Sequence, residues 1–316
     1  MARLNLPTAV IPIGRLRRTE LTCPAHSRRM MEKAAASQAD EVIFDLEDAC
    51  APSQKIAARL TLIEALRTLE FSAKVVALRP NGVHTGLFYR DLIEVVEAAG
   101  QRLDTVVLPK VQSPDDVRFA DRLLTQIEQS SGLAPGRIRL EVLIESAAGL
   151  LAAGEIARAS PRMDSLIFGV ADYAGDVGMR RFQDDSSLFL YPRAHIVAAA
   201  KSAGLQAIDS VTVQYKDLER CRAEAEAAAR MGFDGKWAIH PDQLEPINGA
   251  FTPSREELAR ALALFETYAA ADAERGTGAI TEGDEMIDAA SLRVEWNKIE
   301  IGRRAGLLDS SDRLVP

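Results

Sequence analysis

The 316-residue sequence predicts an α/β fold, a closed TIM (β/α)8 barrel with a C-terminal helical lid. Three observations carry that reading. Short apolar runs alternate with helix-like stretches along most of the chain, the pattern of a parallel sheet built from strand–helix units. About eight such units occupy roughly 250 residues, the size of a TIM barrel. Nearly every apolar run ends on an ionisable residue, as expected where the C-terminal ends of barrel strands form the functional face. A doubly wound open sheet is the alternative, but no GxGxxG follows an early strand to open its first crossover.

The strands are expected at Glu20–Cys23, Glu41–Leu46, Val75–Arg79, Thr105–Lys110, Leu140–Glu145, Ser165–Val170, Gln206–Ile208 and Lys236–Ile239. Each is a short apolar run, as expected of a strand covered on both faces. Helices are expected between them, among others at Ser53–Leu69, Leu87–Ala99, Pro114–Gln129, Tyr191–Ala203 and Asp217–Met231, where apolar residues recur at three and four. Ser53 and Ser113 stand where N-caps belong, and Gly204 and Gly232 where helices stop. The pattern changes after Pro241. Ser254–Arg275 reads as one helix, with Glu257 completing a capping box on Ser254. GTGAITEGDE reads as a Gly-rich flexible connection, and Met286–Ala305 as a final helix. The expected division is therefore a barrel over residues 1–250 and a helical lid over 251–316, the latter too small to hold a core and so packed on the barrel or a neighbouring subunit.

Composition narrows the function. The formal net charge of −8 disfavours nucleic acid as a partner, because phosphate contacts need a basic face. A local exception lies between Arg15 and Lys33, where six basic residues face two acidic ones, reading either as a small anion-binding patch or as a solvated face. Three scattered cysteines suit a reducing compartment, and with no secretory pattern at the start the expected location is cytoplasmic. No apolar run is long enough to span a bilayer, so no membrane is expected.

The expected strand ends place Asp45, Glu47, Asp48, Arg79, Lys110, Glu145, Asp172, Asp209 and His240 on one face. Glu145 and Asp172 lead this set. A carboxylate at the end of an apolar strand is costly to desolvate unless paired. Two of them on consecutive strands suit a shared hard cation such as Mg²⁺, which keeps coordination positions open for water and substrate; a pair of helix N-caps is the other reading. Arg79 offers a planar fork for a substrate oxyanion or carboxylate, or else a salt bridge to Asp45–Asp48. Zinc is disfavoured by four isolated histidines with no HxxxH or CxxC, a GxSxG elbow and a P-loop are absent, and His240 before Pro241 reads as a rim histidine bonded to backbone.

Several longer stretches then resemble a known family. RTELTCPAHS, EKAAASQADEVIFDLEDACAPSQK, ALRPNG, YRDLIEVVEAAGQRLDTVVLPKV, EVLIESAAG, FGVADYAGDVG, GFDGKWAIHPDQLEPIN and GDEMIDAAS are similar to the HpcH/HpaI aldolase and citrate lyase β-subunit-like superfamily, from about Arg18 to about Ala305. The nearest likeness is to malyl-CoA, β-methylmalyl-CoA and citramalyl-CoA lyases. The resemblance implies a Mg²⁺-dependent carbon–carbon lyase acting on a coenzyme A thioester, with Mn²⁺ able to replace Mg²⁺, in a homotrimer or hexamer. It implies Glu145 and Asp172 as metal ligands, Glu47 and Asp48 behind the metal, and Arg79 with the Gly169–Val170–Ala171 backbone on the substrate. It also implies Asp288 as an acid supplied by a neighbouring subunit, and Arg18 and Lys33 as coenzyme A contacts. One departure bears on the acyl group. The chain passes briefly through MRRFQDDSSLFLYPRAHI, where malyl-CoA lyases carry a long insertion, so citramalyl-CoA fits at least as well. A citrate lyase β subunit working on an acyl-carrier protein, a malyl-CoA thioesterase and a non-catalytic CoA-ester-binding protein are the competing expectations.

Overall fold

The computed structural model describes residues 15–71, 74–181, 186–275, 278–309 and 311–314. The first fourteen residues of the expected barrel segment, part of the 177–189 connection and part of the Gly-rich stretch lie outside them. Two compact units emerge, residues 17–251 and residues 252 onward together with the described residues before Arg17.

The first unit is a closed parallel barrel of eight strands in chain order, with β8 pairing back onto β1. It runs β1 (Thr19–Pro24), α1 (Arg28–Ala35), β2 (Glu41–Asp45), α2 (Lys55–Thr68), β3 (Val75–Arg79), α3 (Phe88–Ala99), β4 (Thr105–Leu108), α4 (Pro114–Ser130) and β5 (Arg139–Ile144). It continues α5 (Ala147–Leu151), α6 (Ala153–Ile156), β6 (Met163–Phe168), α7 (Val170–Asp176), α8 (Leu190–Ser202), β7 (Gln206–Asp209), α9 (Leu218–Met231), β8 (Gly235–Ala238) and α10 (Leu244–Ala250). All eight expected strands form, several a residue or two shorter at the C-terminal end. The helix starts divide. Asp116, at the third position of α4, accepts from the Ser113 N–H at 3.0 Å and closes a capping box. Ser53 instead lies inside a short 3-10 turn, Pro52–Gln54, and α2 begins after it without a side-chain cap. Gly232 and Gly204 end α9 and α8 at φ of 96° and 74°, values that suit a residue without a β-carbon.

Alternation along the strands sorts side chains into layers inside the barrel. Ile43, Ala77, Val107, Leu143, Ile167, Ile208 and Trp237, one from each of β2 to β8, form the apolar middle layer. Two residues towards the C-terminal ends, the same faces carry Asp45, Arg79 and Glu145. Two residues towards the N-terminal ends they carry Glu41, Glu141, Ser165 and Gln206, with Glu20 on β1 opposite Glu41.

This lower layer is a buried ionic plug. The carboxylate oxygens of Glu20, Glu41 and Glu141 all lie within 4.8 Å of one another. Arg17 closes the layer, donating to Glu41 Oε2 at 2.7 Å, Gln206 Oε1 at 2.7 Å and Asp164 Oδ2 at 2.8 Å. Burial, then the charges of Glu141 and Glu41, push the Glu20 carboxyl well above the usual carboxylate range, and Glu41 is raised in the same way. Burial alone would lower Arg17, but the surrounding carboxylates raise it. Removing one partner of a buried ion group strands the remaining charge, which costs about 3–5 kcal/mol. Arg17→Met is therefore expected to lose about that much stability in chemical denaturation, and an unchanged midpoint would contradict this account of the plug.

The second unit contains α11 (Arg255–Arg275), β9 (Ala279–Glu282), β10 (Glu285–Asp288) and α12 (Ala289–Arg304). Ser254 and Glu257 cap α11 reciprocally, as expected, at 2.8 and 3.1 Å. The stretch read as flexible is instead an antiparallel hairpin, with Glu282 opposite Glu285 across the two-residue turn Gly283–Asp284. Gly283 takes φ 57°, the left-handed conformation such a turn requires. The final helix accordingly starts three residues later than expected. The unit also holds an apolar cluster of its own, built from Leu258, Leu264, Phe265, Ile287, Leu292 and Ile299 among others. Among the described residues no helix is long and apolar enough to cross a membrane.

Candidate active site

The C-terminal ends of the strands gather a set of carboxylates. Asp45 ends β2 fully buried and organises the loop that leaves the strand. Its two oxygens accept the N–H groups of Glu47 at 2.7 Å and Ala49 at 3.0 Å, which turns this loop back over the barrel mouth. Lys55 holds the same loop from the other side, donating to the carbonyls of Leu46 at 2.9 Å and Glu47 at 2.7 Å.

Asp45 also pairs in register with Arg79 on β3. The guanidinium forks onto it, Nε to Oδ1 at 2.8 Å and Nη2 to Oδ2 at 2.5 Å, and Nη1 lies 3.3 Å from Glu47 Oε2. The salt-bridge reading of Arg79 is thus realised, and the fork fixes the side chain. The plane also lies over the Trp237 ring, with Cζ 5.6 Å from its centroid. Burial alone would lower Arg79, but the charges of Asp45 and Glu47 more than offset it, so the side chain stays protonated.

Lys110 follows β4 with φ 56°, in the left-handed region. Its N–H donates to Glu145 Oε1 at 2.5 Å. Its ammonium lies 2.8 Å from Glu47 Oε1, 3.3 Å from Asp48 Oδ1 and 3.8 Å from Asp172 Oδ1. Glu145, just past β5, is almost wholly buried. Burial, then the charges of Asp172 and Glu47, push its carboxyl up to about 8, against the Lys110 N–H and Arg79, which lower it. Glu145 has this place because residue 169 is glycine. A β-carbon there would meet the Glu145 β-carbon at 2.5 Å and Oε2 at 2.6 Å. Gly169, Val170 and Ala171 open α7, which carries Asp172 in its first turn.

The structure thus brings together Glu47, Asp48, Arg79, Lys110, Glu145, Gly169 and Asp172. Glu47 and Glu145 form a buried floor, and Asp48 and Asp172 an outer pair with 54% and 41% of their side chains exposed. With Asp45, the cluster carries five carboxylates against Arg79 and Lys110, an excess of three negative charges when all are ionised. Glu47 Oε2 is buried and makes no hydrogen bond, with Arg79 Nη1 3.3 Å away. Hard oxygen donors, surplus negative charge and a buried oxygen without a hydrogen bond fit a divalent cation of the Mg²⁺ type.

Other expected residues lie elsewhere. Arg18 precedes β1, at the N-terminal end of the strands, where its guanidinium grips Asp40 at 2.8 Å; that position does not face the carboxylate cluster. Lys33 is exposed on the last turn of α1. Asp209 points away from the barrel interior and is paired with Arg193 and Lys236. His240 accepts the Asp242 N–H at 3.2 Å through Nδ1, the expected backbone role. Asp288 belongs to the second unit and caps α12, accepting the N–H groups of Ala290 and Ser291 at 2.9 Å. The Ser291 N–H foremost holds its carboxyl below the usual range. Sequence reasoning had no role for Lys110 beyond its strand-end position, nor for Trp237 under Arg79. The lysine's only signal was its place next to a proline after an apolar strand.

Along most of its length the chain is similar to known proteins. The HpcH/HpaI aldolase/citrate lyase family model matches residues 18–241. An L-malyl-CoA/β-methylmalyl-CoA lyase of Cereibacter sphaeroides is 39% identical, covering 89% of this chain and 93% of its own. The citrate lyase β subunit of Leuconostoc mesenteroides subsp. cremoris is 32% identical over 95% of this chain and 98% of its own. Among solved structures, CitE from Mycobacterium tuberculosis in complex with magnesium, acetoacetate and coenzyme A aligns with a TM-score of 0.74 and 32% identity, covering 94% of this chain and all of the other. A Burkholderia xenovorans citrate lyase at 21% identity shares the fold, with a TM-score of 0.82.

Proposed function

Because the chain belongs to the HpcH/HpaI aldolase/citrate lyase family and is a carbon–carbon lyase, we propose that it cleaves a 3-hydroxyacyl-CoA of the citramalyl-CoA or malyl-CoA type to acetyl-CoA and a 2-oxo acid, by reversible Claisen-type chemistry. The observation that carries this reading is the carboxylate cluster at the barrel mouth, seated beside a fixed arginine in a chain whose relatives are CoA-ester lyases. Glu145 and Asp172 would hold Mg²⁺, or Mn²⁺ in its place, with Glu47 and Asp48 behind them. When bound, the cation supplies Lewis acidity toward the hydroxyl or ketone oxygen of the 2-oxo-acid half.

The remaining roles fall to the protein. Arg79, clamped by Asp45 and permanently charged, faces the oxygen on which the departing thioester enolate develops charge. The backbone of Gly169, Val170 and Ala171 lines the oxo-acid side. Asp288 moves the proton at the enolate carbon, giving it in cleavage and removing it in condensation. That acid comes from the second unit, and a homotrimer or hexamer in which a neighbouring subunit supplies it is part of the proposal. Arg18 and Lys33 are the coenzyme A contacts that the family likeness offers, and of these Arg18 is held by Asp40 at the N-terminal end of β1. A cytoplasmic setting fits the three cysteines, all buried and outside any disulfide.

The citrate lyase β likeness gives a second reading, in which the acyl group is carried by a protein rather than by free coenzyme A. A cleavage assay with citramalyl-CoA and malyl-CoA, with and without EDTA, separates the cases. Acetyl-CoA with pyruvate or glyoxylate, lost on chelation, is the expected result, and the oxo acid released identifies the acyl substrate. Free coenzyme A without acetyl-CoA would mean thioester hydrolysis. Inertness toward both esters, with activity on a citryl-acyl-carrier protein, would favour the second reading.

A further inference from the structure

Lys110 is one of two non-glycine residues with positive φ among the described residues, and it sits at the centre of the carboxylate cluster. A side chain with a β-carbon is held in the left-handed region against its own preference, and such strain persists only where the surroundings determine it. Two contacts account for it. The left-handed turn aims the Lys110 N–H at Glu145 Oε1, 2.5 Å away, and sends the side chain across to the loop after β2 and the first turn of α7. One residue therefore touches Glu145 through its backbone and Glu47, Asp48 and Asp172 through its ammonium, at 2.8, 3.3 and 3.8 Å.

We propose that Lys110 is a positioning residue that stands in for the divalent cation, its ammonium gathering the outer carboxylates and giving up Asp172 when the cation enters. The inference rests on the reading of Glu145 and Asp172 as the cation-holding pair. Its physical basis is competition, because two positive groups held against one carboxylate repel each other. The contact to Asp172 is the longest of the three, so it is the easiest to exchange. Contacts to Glu47 and Asp48 keep the ammonium in the site after exchange.

The test is Mn²⁺ binding to the full chain, measured by calorimetry without substrate. Lys110→Met removes the competitor and adds one net negative charge, so Mn²⁺ should bind about tenfold tighter or more. Lys110→Gly should behave alike, because glycine keeps the N–H and accepts the left-handed backbone; it carries the test if the methionine variant fails to fold. Lys110→Arg, which restores the charge, should return the affinity towards wild type. A merely structural lysine predicts weaker binding in every variant, and unchanged or weaker binding in both uncharged variants overturns the proposal. Glu145→Ala, measured alongside, separates the two readings. If Glu145→Ala binds Mn²⁺ as wild type does, the cation pair itself is wrong. If it loses binding while Lys110→Met is unchanged, only the role of Lys110 falls.

Discussion

Glu145→Gln is expected to lower turnover at least about a thousand-fold while raising the stability of the metal-free protein above neutral pH. Both effects have one origin. The Glu145 carboxyl is buried beside Asp172 and Glu47 and titrates at about 8 without a cation, so at neutral pH most molecules hold the proton. An unfolded carboxyl loses its proton near the ordinary value of about 4.3. Between those two values the folded chain binds more protons than the unfolded one, and stability falls as pH rises through that window. Glutamine is neutral throughout and removes this slope, so the variant's melting temperature should decline less than wild type's between mildly acidic and mildly alkaline pH. Function runs the other way. On the proposed reading a divalent cation favours the ionised carboxylate, so its uptake at neutral pH releases a proton, detectable by calorimetry in buffers of different ionisation enthalpy. Glutamine cannot supply that charge. Losing Lewis-acid stabilisation of several kcal/mol corresponds to the thousand-fold loss, since each tenfold is about 1.36 kcal/mol. An active variant that still responds to Mg²⁺ would refute the pair; an inactive one with wild-type pH dependence of melting would show that Glu145 is not the group that titrates.

The strand-end place of Glu145 was legible in the sequence because of barrel geometry, whereas Asp172, read as closing the next strand, lies in the first turn of α7. Parallel strands covered on both faces read as plain apolar runs, and a carboxylate at the end of such a run stands out against them. The contact between Arg79 and Asp45 stood only as one of two readings, because it depends on register. Asp45 and Arg79 are adjacent only because β2 and β3 pair with those residues side by side, and the sequence carries no register. The sign of φ at Lys110 is not written in the residue type either, since lysine has no preference for a left-handed turn. The lower plug was missed for a different reason. Glu20, Glu41 and Glu141 are charged residues in strands, which usually face water, and only barrel closure turns them inward onto Arg17. The hairpin at Ala279–Asp288 failed on pattern. Most of its residues are exposed, so they show no apolar alternation, and the turn at Gly283–Asp284 was the only local signal.

Asp288→Asn should cut turnover by about 10² to 10⁴, the usual contribution of a positioned proton-transfer group, while leaving folding and ester binding near wild type. The distinction matters because Asp288 has a structural duty as well. Its Oδ1 accepts two backbone N–H groups and the Ser291 hydroxyl at the start of α12. Asparagine caps helices about as well as aspartate, so the asparagine variant keeps the cap and removes only the titrating group. Alanine removes both, and Asp288→Ala should therefore melt at a lower temperature than Asp288→Asn with no further loss of activity. Those N–H donors also bear on direction. They hold the Asp288 carboxyl below its ordinary range, so in the substrate-free enzyme it is ionised at neutral pH and ready to take a proton rather than give one. Condensation then starts from the resident protonation state, whereas cleavage must first load a proton onto Asp288. On that account, with substrates saturating, the cleavage rate should climb as pH falls towards the carboxylate range, while condensation holds level there. Parallel pH profiles in the two directions would remove Asp288 from the role, as would an asparagine variant with full activity.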